Sequence, residues 1–323
     1  MADVSTTRIL LAWRPGDGGP GSVGADTAAT VAWMARSGPL SVRPVCVIPR
    51  IWPENAGDGL TADPATLHHV NDWARAETAA CLEDACTALR EAGVPDEAVD
   101  TGVSDNAGGT GAPLLSHSET TALITAATDF DADVILIGSR EDAPAGRFRA
   151  GATADALLHC SPLPVLVAPH LPTLSSHGVT RVTCAYVDTE QSQQALRHAS
   201  DLAVRYGVPL RLVAFSPVGT TMYPPRVPLP GGADQLERWR PQAESIIDHG
   251  RRRALERHPD LEVQTGVGTG DGWAEAIGDL RWKKGDLLVV GSSVLGAFNR
   301  VFIGPSTNQI LRHSPAPVLV SAV

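Results

Sequence analysis

The chain repeats itself once over most of its length. The repeated pairs are DVILIGS at 133–139 with DLLVVGS at 286–292, PVLV at 164–167 with PVLV at 317–320, and RILLAW at 8–13 with RVTCAY at 181–186. The first two pairs share an offset of 153 positions. This period is far longer than the roughly 20–50 residues of a solenoid repeat and is close to the size of one domain. The sequence therefore predicts a duplicated domain.

The duplication places one domain at residues 1–172 and a second at residues 173–323. Between the two repeats, the segment Pro169–Gly178 is rich in proline and serine, which is typical of a linker. A length of 323 residues also fits two domains of about 100–200 residues each.

In each half, short apolar runs alternate with helical patterns, which is typical of βαβ units and a parallel sheet. The first half has predicted strands near 8–13, 41–48, 98–103, 133–138 and 164–168, and helices near 24–37, 64–92, 117–128 and 151–160. The second half has predicted strands near 181–187, 208–215, 261–266, 286–291 and 317–322. Its helices are predicted near 191–206 and 233–257, after Asp271 as N-cap, and from Gly304-Pro305 onward.

Charge and composition exclude several classes of protein. Residues 1–172 hold 10 basic and 22 acidic side chains, and residues 173–323 hold 16 and 14, so neither half carries the basic surface of a nucleic-acid-binding domain. No apolar run approaches the ~20 residues of a membrane helix, and the first residues do not resemble a signal peptide. We therefore expect a cytoplasmic protein. The histidine and cysteine spacings predict no metal site.

The repeated residues resemble the universal stress protein family. The resemblance rests on the strand D-[VL]-[IL]-[LV]-[IV]-G-S, a glycine thirteen positions later, and the terminal strand S-P-x-P-V-L-V, each present twice. Asp188, followed by QSQQAL at 191–196, also resembles the family's first strand and helix. The whole chain is similar to a tandem, two-domain member.

The resemblance implies two tandem Rossmann-like domains of the adenine nucleotide alpha hydrolase-like type. Each domain is expected to have an open five-stranded parallel sheet, order 3-2-1-4-5, with helices on both faces. Family members pair domains through the terminal strand, so Pro164–Ala168 and Pro317–Val320 are expected to pair within this chain as a pseudo-dimer. Two such chains could associate further as a homodimer.

Family members that bind ATP carry G-x2-G-x9-G followed by Ser or Thr after strand 4. Carried over to this chain, the motif gives candidate cofactor-binding residues at Asp188, Gly291, Ser292, Gly304, Ser306 and Thr307 in the second domain, and at Gly138, Ser139, Gly151 and Thr153 in the first. Glycines allow phosphates to approach the backbone, and a helix N-terminus attracts their charge.

Both copies depart from this pattern. In the first copy, Glu141 replaces the middle glycine, Ala152 replaces the hydroxyl residue, and Arg14 or Pro15 replaces the acid after the first strand. In the second copy, Val294 replaces the middle glycine, and Pro305, which has no N–H, replaces the hydroxyl residue. Ser306, Thr307 and Gly296 are possible substitutes there.

Several alternatives remain open from the sequence alone. Asp188 either holds a nucleoside or caps the next helix, and the glycines Gly138 and Gly291 either bind a ligand or simply end strand 4. Arg140, Arg147 and Arg149 either gather an anionic ligand or form a solvated loop, which Glu141 and Asp142 partly neutralise.

No pattern for a catalytic residue was found. The sequence thus predicts a non-enzymatic stress-response adaptor or signalling module that acts on protein partners, with nucleotide binding weakened or lost. The alternative is a sensor that binds ATP or another adenine nucleotide in the second domain.

Overall fold

A computed structural model describes residues 6–49, 64–102, 114–116, 118–217, 232–294, 301–302 and 305–321. The first half contains strands β1 (Thr7–Trp13), β2 (Leu40–Pro49), β3 (Leu114–Ser116), β4 (Val134–Gly138) and β5 (Val165–Ala168). Its helices are α1 (Val23–Ala35), α2 (Pro64–Glu91), α3 (Glu119–Asp129) and α4 (Ala152–Cys160), with a 3₁₀ turn at Asp96–Ala98.

The second half follows the same order of strands and helices. Its strands are β6 (Arg181–Ala185), β7 (Leu210–Pro217), β8 (Val263–Gly270), β9 (Asp286–Gly291), β10 (Ser293–Val294), β11 (Val301–Phe302) and β12 (Val318–Ser321). Its helices are α5 (Glu190–Tyr206), α6 (Gly232–Arg257), α7 (Trp273–Gly278) and α8 (Pro305–His313). Strands β10 and β11 form a small antiparallel pair apart from the main sheet.

The two halves share a single sheet, so the prediction of two separate five-stranded sheets is wrong. Within the described residues, ten strands follow the order β3-β2-β1-β4-β5-β12-β9-β6-β7-β8. Each half keeps the expected order, and the strands within it are parallel. The halves meet where β5 and β12 pair antiparallel, with Leu166 opposite Leu319. Since each terminal strand would otherwise be an open edge, this pairing protects both.

The expected intramolecular pairing of the terminal strands is thus confirmed. The helices then cover both faces of the continuous sheet. Buried residues of α1, α2, α5 and α6 form one core, and those of α3, α4, α7 and α8 form the other. Each core runs across the boundary between the halves, because the sheet beneath it is unbroken.

The third strand of the first half differs from the prediction. Residues 98–103 were expected to form it, but Asp96–Ala98 is a 3₁₀ turn and Val99 makes only an isolated bridge to Val42. The strand that pairs with the end of β2 is Leu114–Ser116. In the second half, the predicted strand near 261–266 corresponds to β8, which pairs along β7 over eight positions.

Hydrogen bonds to α1 hold the segment that follows β5. The segment after β5 is anchored to α1, since Asp26 accepts hydrogen bonds from the backbone N–H of Leu171 (3.0 Å) and contacts Nδ1 of His170 (2.9 Å). Burial raises the pKa of the Asp26 carboxyl, although the hydrogen bond with His170 opposes the shift.

Helix α7 has Gly272 as its N-cap, so the prediction of Asp271 in that role is wrong by one residue.

Candidate functional site

In each half, the strand order reverses at one point. This point lies at the carboxyl ends of β1 and β4 in the first half, and at the carboxyl ends of β6 and β9 in the second half. In each half, the second and third strands lie on one side of this pair, and the last strand lies on the other side. In open α/β sheets, such points are where ligands bind. We call them the first-half cleft and the second-half cleft.

The structure brings the four first-half candidates together. A small cavity of about 50 Å³ is lined by Gly138, Ser139, Gly151 and Thr153. Ligand pockets usually measure roughly 300–1,000 Å³, so this cavity alone does not hold a nucleotide. A more open depression of about 590 Å³ lies beside it. Charged residues of both signs border that depression, namely Arg14, Asp17, Arg140, Glu141 and Asp142.

Both candidate hydroxyls of the first-half cleft already have partners. The Thr153 hydroxyl donates to Oε2 of Glu119 at 2.5 Å, and the Ser139 hydroxyl accepts a hydrogen bond from the backbone N–H of Arg149 at 2.9 Å. Glu119 belongs to α3, yet its carboxylate reaches the first turn of α4. The N-terminus of a helix favours phosphate, but here a protein carboxylate already lies beside it.

Asp17 is a residue of this cleft that the sequence analysis missed. A turn in which the Asp17 N–H donates to the Arg14 carbonyl (3.0 Å) returns its side chain to the cavity, where it accepts from the Arg14 N–H (3.1 Å). Arg14 and Pro15 occupy the positions directly after β1, where the acid was expected. Asp17, which follows them, places a carboxylate in the cleft instead. Burial raises the pKa of Asp17, and the charge of Arg14 only partly opposes this.

The loop between β4 and α4 is held by its own ion pairs. Asp142 lies between two arginines, with Arg140 Nε at 2.8 Å from Oδ1 and an Arg149 Nη at 3.2 Å from Oδ2. The hydrogen bond from Arg140 lowers the pKa of the Asp142 carboxyl. The backbone N–H of Arg140 also donates to the Arg149 carbonyl, which closes the loop at 3.0 Å. Two of the three arginines in this loop therefore share one carboxylate, which balances one of their two charges.

In the second-half cleft, Asp188 is surrounded by donors. Its Oδ1 accepts from the Tyr186 hydroxyl (3.0 Å) and from Nε2 of Gln193 (3.2 Å), and Nη2 of Arg253 lies 3.8 Å from the same oxygen. Nδ1 of His249 lies 3.7 Å from Oδ2. Burial favours the protonated form of Asp188, but the hydrogen bonds and the charge of Arg253 outweigh it and leave its pKa below the usual value.

Asp188 does not cap the following helix. The N-cap of α5 is Thr189, whose hydroxyl accepts from the backbone N–H of Ser192 at 3.3 Å. Of the two roles left open by the sequence, helix capping is therefore excluded for Asp188. Its ionised side chain remains about one-third exposed at the end of β6.

The other second-half candidates are mostly engaged with the backbone. The Ser292 hydroxyl donates to the carbonyl of Ser321 at 3.0 Å, and the Thr307 hydroxyl donates to the carbonyl of Gly291 at 3.2 Å. Ser306 is half-buried in the first turn of α8. Gly304 and Gly296 lie outside the described residues. The structure thus brings Gly291 and Thr307 together, while Ser292 is turned toward the last strand.

Gly138 and Gly291 have a packing role that is independent of any ligand. A Cβ on Gly138 would lie 2.3 Å from Cγ1 of Val23, and a Cβ on Gly291 would lie 2.8 Å from the carbonyl oxygen of Gln191. In each half, the glycine thus allows the first turn of a helix to pack directly on the end of a strand.

We expect Gly138→Ala to lower the free energy of unfolding by about 2–3 kcal/mol, because the added methyl group overpacks the contact with α1. Urea denaturation measures the change. Gly151→Ala is the matched control, since its Cβ would meet only Cγ of Arg140, at 3.8 Å. We expect it to cost less than about 1 kcal/mol as a change at a helix N-cap. Equal losses for both variants would contradict the packing role of Gly138.

Over the described ranges, no group of three or more His, Cys, Asp or Glu side chains is placed so that it could hold a metal ion. In the same part of the chain, no helix has both the length and the apolar surface needed to cross a bilayer.

Comparison with known proteins identifies the family. The model of the universal stress protein family matches residues 27–169 and again residues 178–321. A universal stress protein of Mycobacterium tuberculosis is 38% identical over 204 residues, which cover 63% of this chain and 69% of that protein. One from Synechocystis is 28% identical over 193 residues, or 58% of each chain.

The fold is also that of a solved structure. The crystal structure of a universal stress protein from Archaeoglobus fulgidus superposes with a TM-score of 0.60 over 97% of both chains, at 17% sequence identity. At that identity the likeness concerns the fold alone. Together with the two matches to the family model, it leads to one conclusion: this chain belongs to the universal stress protein family and carries two of its domains in tandem.

Proposed function

We propose that this protein is a non-catalytic stress-response adaptor, acting in the cytoplasm on protein partners, in which conventional ATP binding is weakened or lost. We place the boundary between its two domains at residues 172 and 173. The observation that carries the proposal is the contact between Glu119 and Thr153. It places a carboxylate at the helix N-terminus that would have to receive phosphates, and the two negative charges would repel each other.

The second-half cleft supports the same proposal in a different way. The first residue of α8 is Pro305, which offers no N–H to a phosphate. The hydroxyl of Thr307, the candidate substitute, already donates to the carbonyl of Gly291. A triphosphate would therefore have to displace an internal hydrogen bond and would find one donor fewer than a helix N-terminus usually supplies.

Nucleotide content and affinity test this proposal. We expect the supernatant of the denatured protein to contain no stoichiometric adenine nucleotide, and we expect calorimetric titration with ATP–Mg²⁺ to show no binding tighter than about 100 μM, which corresponds to about 5.5 kcal/mol. Stoichiometric nucleotide, or a tighter dissociation constant, would contradict the loss of ATP binding.

The variant Glu119→Gln sharpens the test in the first-half cleft. Glutamine keeps the size of the side chain and removes its charge, so we expect measurable ATP binding to appear, or to strengthen, in this variant. Glu244→Gln, at an exposed position of α6, is the matched control and should behave as the unmodified protein. An equal response of both variants would show that the carboxylate of Glu119 does not exclude the nucleotide.

A second candidate function is an adenine-nucleotide sensor that uses the second-half cleft. The observation that favours it is the ionised, one-third exposed side chain of Asp188 at the switch point between β6 and β9. A carboxylate at that place can accept hydrogen bonds from ribose hydroxyls. If ATP binds, its loss on Asp188→Ala would assign the site to this cleft.

A further inference from the structure

A groove of about 910 Å³ lies where the two halves meet. One wall is formed by the loop between β4 and α4 together with α4 itself, and the opposite wall by α8. Phe148, Leu158 and Leu311 are buried side chains along it. The groove borders the first-half cleft, since Gly151 and Ala152 line both. We call it the junction groove.

The junction groove is basic although the chain as a whole carries a net charge of −10. Arg147 and Arg149 come from the first half, and Arg312 comes from the last turn of α8 in the second half. Cationic side chains from opposite walls therefore face one space that is large enough for a ligand.

The acidic side chains that line the groove have partners other than Arg147 and Arg312. Asp142 is paired with Arg149 and Arg140, and Asp155 contacts His159 one turn further along its own helix, at 3.8 Å. For Arg147 and Arg312, no carboxylate of the described residues lies within 4.0 Å. Two guanidinium groups, one from each half, thus lack a counter-charge from the part of the chain that the structure describes.

The state of His313 shows that these cations share one environment. Burial lowers the pKa of its imidazole, and the charges of Arg147 and Arg312 lower it further. A positive field from both walls therefore reaches the same side chain. Guanidinium groups in such an arrangement bind phosphate oxygens through paired, charge-assisted hydrogen bonds.

We propose that the junction groove binds a small anion with several phosphate groups, held between Arg147 of the first half and Arg312 of the second. A polyphosphate suits the groove better than a single phosphate, because the two guanidinium groups stand on opposite walls of a space several times larger than one phosphate. This inference goes beyond the proposed adaptor function. It concerns a site that both halves build together, beside the first-half cleft.

Binding of inorganic tripolyphosphate to the full chain tests the proposal by isothermal titration calorimetry. We expect one site per chain in the unmodified protein, with affinity that falls as salt is added. Arg147→Gln and Arg312→Gln should each weaken binding at least tenfold, or by about 1.4 kcal/mol. The double variant should weaken binding about a hundredfold or more, or by about 2.8 kcal/mol, if the two losses add.

Arg251→Gln is the matched control, because it removes the same charge from an exposed position of α6 outside the groove. We expect its affinity to stay within twofold of the unmodified protein. The proposal is overturned if the unmodified protein does not bind, or if Arg251→Gln weakens binding as much as Arg147→Gln. It is also overturned if binding survives both groove substitutions and is lost in Asp188→Ala, which would place the anion in the second-half cleft. Unchanged circular dichroism spectra verify that the variants fold.

Discussion

Asp286→Asn is expected to lower the free energy of unfolding by about 3–5 kcal/mol, since it leaves two buried arginines without their counter-charge. Asp286 begins β9 and is 0% exposed. Its Oδ1 accepts from Nε of Arg181 at 2.6 Å and its Oδ2 from Nη2 of Arg181 at 2.7 Å, while Arg211 approaches Oδ2 at 3.4 Å. Equilibrium unfolding in urea measures the loss.

Burial makes the charge of this cluster costly when it is unpaired. It lowers the pKa of the Arg211 guanidinium to about 10, although the charge of Asp286 opposes the shift. Arg211 also lies over the ring of Trp282, 4.8 Å from its centroid, and donates to the carbonyl of Arg281. These contacts hold the guanidinium in place, so it cannot simply turn toward solvent when Asp286 is changed.

Asp133→Asn is the matched control for this prediction. Asp133 occupies the corresponding position 153 residues earlier, but its side chain is exposed, and within the described residues it accepts only from the backbone N–H of Arg8, at 2.8 Å. We expect a loss of less than about 1 kcal/mol. Similar losses at Asp133 and Asp286 would show that burial of the cluster does not determine its contribution.

The second large effect is expected at the junction between the halves. Leu319 of β12 lies opposite Leu166 of β5 and is 6% exposed. Leu319→Ala should lower the free energy of unfolding by about 2–5 kcal/mol, as truncations of buried leucines do. Because one sheet joins the halves, we expect amide hydrogen exchange to accelerate in both β4 and β9.

Leu171→Ala makes the same truncation at a leucine that is 48% exposed. We expect it to change the free energy of unfolding by less than about 0.5 kcal/mol. If Leu319→Ala accelerated exchange in β9 alone, the two halves would unfold independently, and the continuous sheet would not couple them.

The strands around the junction could be predicted because each is marked by its own run of apolar residues. VILIG at 134–138, its counterpart LLVVG at 287–291 and the two copies of PVLV are short apolar runs, and β4, β9, β5 and β12 lie where these runs predict them. The resemblance to the universal stress protein family also predicted that the terminal strands pair. Buried parallel strands read as continuous apolar segments, so both their position and their type are visible in the sequence.

The third strand and the cleft residues could not be predicted in this way. Strand β3 has three residues, Leu114–Ser116, which is too short for a periodic pattern. Asp17 reaches the first-half cleft through a turn, and Glu119 reaches it from a helix 34 residues before Thr153. Sequence spacing does not reveal contacts that depend on how separate elements pack.

Because the two halves belong to one chain, their sequences can differ, and the pair of domains need not be symmetric. In a homodimer of single domains, a groove across the two-fold axis is lined by the same residues from both sides. In this chain, the repeat offset of 153 aligns His159 with Arg312 and Cys160 with His313. The two walls of the junction groove have therefore diverged separately, and each chain carries one groove with a distinct orientation for whatever binds there.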